Sequence, residues 1–168
     1  MPDLASPARA RCLVTNTTPL IALTAATGGL DVLRHLYQRV VVPLEVADEV
    51  RAGGPKAFGV DVFNAAAHWL EIQPGPVVLQ PFLHNSLDKG EAAVIQTALN
   101  LRLPLVCIDE AVGRRIARLC ELQLTGSVGI LIKAKNTGYA LEMPKALDRM
   151  RQHGIWLSDR VVQFALSH

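Results

Sequence analysis

Arg39-Val40-Val41-Val42 is too short and too β-branched to favour a helix, and Pro43 closes it. Leu105-Val106-Cys107-Ile108 is a second apolar run, ending in Asp109-Glu110, and Arg11 to Thr15 alternates and ends in a Thr/Asn cluster. Each is followed by a helical pattern, with Pro19 ahead of Leu20, Ile21 and Leu23, and Pro43 ahead of Leu44, Val46, Ala47 and Val50. Short strands alternating with helices predict a parallel sheet covered on both faces, because a crossover between parallel strands needs about a helix of chain.

The remaining elements follow from breakers and periodicity. Gly28-Gly29 stops the first helix and Leu30 to Tyr37 makes a second. The helix from Pro43 ends at Gly53-Gly54-Pro55, another runs to about Ala67, and Trp69 to Ile72 is a short strand. Gln73 to Pro81 reads as the one long loop. Asp88 to Leu101 is a helix, as is Asp109 to Leu119; Leu122 to Thr125 is a strand, and Gly126-Ser127 opens a helix through Lys135. Leu141 to Met150 and Ser158 to Ser167 are closing helices. The expected organisation is a loose tail over 1–10, one α/β domain over 11–140 and a helical extension over 141–168 packed on it, without internal repeats.

Half of the 168 residues are hydrophobic and 19% charged, which suits one well-buried core and excludes a disordered chain. A net charge of +2 makes any nucleic-acid-binding face a local one. Cys12, Cys107 and Cys120 are odd in number and lack zinc spacing, as expected of reduced thiols in a cytoplasmic protein. The uncharged stretch from Cys12 to Leu30 imitates a secretion signal, but Asn16, Pro19 and Gly28-Gly29 fit a strand-turn-helix better and argue against a membrane span. His35, His68, His84, His153 and His168 have no close ligand spacing, and Trp69, Trp156, Phe63 and Phe164 read as core or interface anchors.

Ligands of open parallel sheets bind beyond the carboxyl ends of the strands. Asn16, Glu49, Glu91, Asp109 and Glu110 all fall there, and such hard oxygen donors suit Mg²⁺ or Mn²⁺. Local explanations stand beside this one. Asp88 and Glu91 have the spacing of a capping box, and Asp109 that of an N-cap for its own helix. Glu45 and Glu49, four apart, are a like-charge pair unless a cation lies near, and Glu49 alone is an ordinary exposed helix residue.

Five pieces in order carry a likeness: Val14-Thr15-Asn16-Thr17-Thr18-Pro19-Leu20-Ile21, Val42-Pro43 through Glu49-Val50, Leu87-Asp88-Lys89-Gly90-Glu91 through Ile95, Ile108-Asp109-Glu110 through Arg114-Arg115, and Leu124-Thr125-Gly126-Ser127-Val128-Gly129-Ile130-Leu131. The chain resembles the PIN-domain proteins, metal-dependent ribonucleases that include VapC-like toxins, and within them a prokaryotic group recorded as a domain of unknown function. The resemblance implies a three-layer α/β/α fold with a central, mostly parallel sheet, Mg²⁺ or Mn²⁺, hydrolysis of RNA phosphodiester bonds, a homodimer and, for a toxin, a small antitoxin partner. It implies that Glu49, Glu91 and Asp109 hold family acid positions, with Glu110 auxiliary and Thr17 or Ser127 a hydroxyl near metal or phosphate. In such an enzyme Lys89, Arg114, Arg115 and Arg118 stand where they can meet RNA phosphates, or else form a solvated helix face.

Asn16 departs from the family pattern, which has an aspartate there. Its carbonyl oxygen can still face a metal, but one negative charge is gone, so Mg²⁺ should bind more weakly. Two outcomes follow: an active ribonuclease, or a silent module that binds nucleic acid or protein. A receiver-like regulator with Asp109 as phosphoacceptor lacks the paired acids it would need after the first strand.

Overall fold

The computed structural model describes residues 11–168; the tail expected over 1–10 lies outside the described residues. Five strands, β1 (Cys12–Thr15), β2 (Arg39–Val42), β3 (Glu71–Ile72), β4 (Leu105–Cys107) and β5 (Gln123–Thr125), form one sheet in the order β3-β2-β1-β4-β5, every pair parallel. Val14, Val41, Val42, Val106 and Cys107 are fully buried or nearly so, as strands covered on both faces require.

The helices are α1 (Thr17–Thr27), α2 (Asp31–Leu36), α3 (Leu44–Arg51), α4 (Val60–Ala66), α5 (Pro81–Ser86), α6 (Lys89–Leu101), α7 (Ala111–Leu119), α8 (Ser127–Asn136), α9 (Met143–Gln152) and α10 (Asp159–Ser167). One layer joins α1, α2, α8 and α9; the other joins α3, α6 and α7, with α6 packed directly on β1 and β4. The result is a three-layer α/β/α fold. α9 packs against α1, and α10 against α8 and α9. Among the described residues no helix is long and apolar enough to cross a membrane.

Several details differ from the sequence reading. The loop expected over Gln73–Pro81 ends in α5, whose only buried residue is Leu83, so six residues carry no periodicity to read. The helix expected from Asp109 starts at Ala111, with Glu110 at its N-cap position. Trp69 and Leu70 stay outside β3, which pairs only through Glu71 and Ile72. Phe63 is buried as expected, but Trp156 and Phe164 stand in solvent, 84% and 54% exposed, and are not core residues.

From β1 the chain crosses to β2 on one side, and from β4 to β5 on the other. The crevice between β1 and β4 is therefore the topological switch point, where loops diverge and leave room for a ligand. Asn16 follows β1 and its N–H donates to Cys107 O of β4 at 3.1 Å, closing the floor of that crevice.

Candidate metal centre

Asn16 takes the N-cap position of α1, where asparagine ordinarily accepts a helix N–H, yet its side chain makes no capping bond. The residue is 4% exposed and its Oδ1 has no hydrogen-bond partner. An unmatched buried acceptor costs about 1–3 kcal/mol.

On the facing side, Asp88 caps α6 by accepting the Glu91 N–H at 2.8 Å. The local half of the expected capping box is thus present. Glu91 turns its carboxylate toward Glu110, however, and its buried Oε1 accepts no hydrogen bond. Asp88, Glu91 and Glu110 bring carboxylate oxygens within 4.8 Å of one another. Thr18 donates to Glu110 Oε1 at 3.3 Å and ties that acid to α1.

Glu49 belongs to the same cluster from the side of α3. A Cβ on Gly90 would lie 2.7 Å from Glu49 Oε2, 3.3 Å from Asn16 Oδ1 and 3.7 Å from Asp88 Oδ1, so three oxygens from three segments converge on this glycine. A side chain there would push the Glu49 carboxylate out of its place. Thr17 Oγ1 makes no well-formed hydrogen bond, although it lies close enough to Glu49 to favour the ionised carboxylate. Glu45, one turn earlier, points elsewhere: it is 7% exposed and its Oε2 accepts the Val77 N–H at 3.2 Å. Glu45 and Glu49 therefore do not act as a pair.

Asp109 serves a second helix start. α8 has Gly126 at its N-cap position and so no capping side chain; Asp109 Oδ1 supplies the acceptor, 2.7 Å from Ser127 N. A Cβ on Gly126 would meet Asp109 Oδ1 at 2.7 Å and Arg114 Nη1 at 3.1 Å. Asp109 is thus a cap, but for α8 rather than for the helix that follows it in sequence. Arg114 Nη1 donates to Ile108 O at 2.8 Å and Thr125 O at 3.2 Å, clamping the ends of β4 and β5. Lys89, Arg115 and Arg118 are exposed on α6 and α7.

The electrostatics follow from crowding. Burial pushes Glu91 up to about 8, with Glu110 and Asp88 adding to the shift. Glu49 is raised by burial, opposed by Thr17 and reinforced by Asp88 and Glu110. Asp109 is raised by burial despite its Ser127 hydrogen bonds and nearby Arg114. Carboxylates that raise one another hold protons until a cation takes their place.

Asp88 belongs to this carboxylate cluster, whereas the sequence reading counted it as a helix cap and not among the metal-facing residues. The Asp-Lys-Gly-Glu phrase held the signal: a glycine in the first turn of a good helix has a cost of about 1 kcal/mol and asks for a reason.

A family model described as a PIN domain, recorded as a domain of unknown function, matches residues 12–168. The match runs through α9 and α10 as well as the sheet. No curated protein and no solved structure matches the chain.

Proposed function

The chain belongs to the PIN-domain family, whose members are generally nucleases that use divalent metals, and from that premise we propose a Mg²⁺- or Mn²⁺-dependent endoribonuclease. The observation that carries this reading is the pair of buried, unpartnered oxygens, Asn16 Oδ1 and Glu91 Oε1, beside the carboxylates of Asp88, Glu91 and Glu110. Hard oxygens crowded together without partners fit a hard divalent cation.

Asp88, Glu91 and Glu110 would hold the ion, with Asn16 and Glu49 adjoining and Asp109 beside them at the end of β4. A bound divalent ion supplies positive charge to phosphate oxygens and acidifies water, which is the chemistry that phosphodiester hydrolysis needs. Glu91, whose carboxyl is raised by burial, would give up its proton to a bound divalent ion, so metal uptake would release acid. Thr17 opposes the burial that raises Glu49, and Ser127 with α8 fixes Asp109. Exposed Lys89 and Arg115 meet the RNA backbone, while Arg114 serves the sheet and its charge favours the Asp109 carboxylate.

The test is direct. Purified protein with Mn²⁺ should cleave single-stranded RNA, and chelator should stop it; a rate indifferent to chelator sinks the reading. Asn16 supports a second reading, an attenuated module that binds nucleic acid or protein, because one family charge is missing. In that case RNA binds without turnover in any divalent metal, and Asn16→Asp tightens metal binding by calorimetry and restores cleavage. The first reading extends to a cytoplasmic toxin, homodimeric and silenced by a small antitoxin: induction should arrest growth, and Glu91→Gln should relieve the arrest.

A further inference from the structure

Beside the acids the protein opens into a groove of about 990 Å³, at the upper end of the range of ligand pockets, about 300–1,000 Å³. Asp109, Glu110, Thr18 and Ser127 form its head, so the groove is continuous with the candidate metal centre. The C-terminal segment contributes Trp156, Val161 and Phe164 to its lining, and α8 contributes Val128 and Ile132. Beyond the two acids at the head, the charged side chains among the described residues that line it are Arg114 and Arg160.

Trp156 is the unusual member. It lies in the connection between α9 and α10, whose backbone is fastened on both sides: Ile155 N donates to Met150 O at 3.1 Å, and Arg151 Nη2 donates to Leu157 O at 3.3 Å. A held backbone nevertheless leaves the indole 84% exposed. Phe164 already stacks on His168, ring centroids 4.1 Å apart, so Trp156 is the wider free aromatic face. Large aromatic surface kept in water and pre-positioned by its backbone has a low ordering cost when a flat partner arrives.

We infer that the groove receives the unpaired strand flanking the scissile phosphate, one base stacking on Trp156 and the backbone passing Arg160. This rests on the nuclease reading of the acids. A strand that leaves the metal centre on this side enters the groove at once, and it finds positive charge and an aromatic platform rather than further carboxylates. Stacking of this kind tolerates any base but requires an unpaired one. Trp156 is then a positioning residue, acting on affinity rather than on the chemical step.

The probes are a short single-stranded RNA of mixed sequence, the same strand with abasic residues on both sides of one linkage, and its duplex. Binding is measured with Ca²⁺, which takes oxygen ligands in looser geometry than Mg²⁺. Trp156→Ala should weaken binding of the base-bearing strand by about 5- to 150-fold, the range of base–aromatic stacking. It should leave the abasic strand unaffected, and Trp156→Phe should keep most of the affinity. Wild type should prefer the strand to the duplex, and in Mn²⁺ turnover Trp156→Ala should raise KM with kcat held. The inference is overturned if Trp156→Ala binds the base-bearing strand like wild type, or if it weakens both strands equally. It is also overturned if Trp156 emission, isolated by Trp69→Phe, changes with protein concentration alone, because a second copy would then cover the groove. Wild type that stacks the strand but never cleaves it defeats the nuclease reading alone; wild type that cleaves while Trp156→Ala is silent defeats the platform alone.

Discussion

Two helix starts face the crevice between β1 and β4, and each is capped by an aspartate. At α6 the cap is local: Asp88 takes the N–H of Glu91, three residues on. At α8 it is borrowed: Asp109 takes the N–H of Ser127, eighteen residues on, because Gly126 has no side chain to offer. The consequences are opposite. Asp109 is held by a hydrogen bond with Arg114 beside it, so that its Oδ1 is committed to the fold. Around α6, Glu91 Oε1 and Asn16 Oδ1 remain unmatched, which leaves this start poised for a cation. The same residue type serves architecture at one helix and ligand capacity at the other.

Glu91→Gln gives the largest expected effect and bears on the α6 side alone. Cleavage should be abolished, since a charged ligand is lost, while the metal-free fold should gain stability at neutral pH because the buried side chain no longer has to take up a proton on folding. The sign is fixed by linkage. Glu91 has a pKa near 4.5 unfolded and about 8 folded, so between those values the folded state binds more protons. Stability of the metal-free protein should therefore fall as pH rises from about 4.5 through about 8. Urea titrations across that window should show the slope in wild type and a flattened one in Glu91→Gln. A steeper loss in the variant would mean that Glu91 is a structural ion and not a waiting ligand.

The second contrast uses the two glycines. At Gly126 a Cβ would strike Asp109 Oδ1 and Arg114 Nη1, atoms already engaged with Ser127 and with the carbonyls of Ile108 and Thr125. Gly126→Ala should cost about 1–3 kcal/mol by overpacking. At Gly90 the nearest atom is Glu49 Oε2, the free end of a flexible side chain. Gly90→Ala should leave stability unchanged or raise it by up to about 1 kcal/mol through helix propensity, yet weaken Mn²⁺ binding by displacing Glu49. Thermal melts and calorimetry on the pair separate the two; equal destabilisation would erase the distinction between the helix starts.

The same contrast explains what could be read from the chain before its fold. The strands, their parallel pairing and the α6 cap depend on residues close in sequence, where periodicity and spacing report directly. The service of Asp109 to α8, the turning of Glu45 toward Val77 and the space that Gly90, Gly113 and Gly126 leave for site side chains depend on segments that meet only after folding. Asp88 was harder to read for a different reason: a helix cap three residues before Glu91 is a role that spacing reports, whereas its approach to Glu110 depends on α7 meeting α6 in the fold. Of the two roles read for Trp156 and Phe164, core or interface anchor, exposure rules out the core, because both rings are left in solvent lining the groove that Asp109 and Glu110 also line.

The smallest expected effect comes from changing each capping carboxylate to an amide. Asparagine still presents a carbonyl oxygen to a helix N–H, and the two residues are near-equal caps; what is lost is charge against the helix dipole, about 0.3–1 kcal/mol. At Asp88 that loss is opposed by relief of repulsion, because Asp88 helps to raise both Glu49 and Glu91. At Asp109 burial already disfavours the charge, while Arg114 favours it. Both variants should therefore melt within a few degrees of wild type, a shift expected of less than about 1 kcal/mol. They should part in titration: Asp88→Asn lowers the pKa of Glu91, followed by carboxyl NMR, whereas Asp109→Asn leaves it in place. If Asp109→Asn moves Glu91 as far as Asp88→Asn does, the two helix starts share one electrostatic site and the division of labour between them fails.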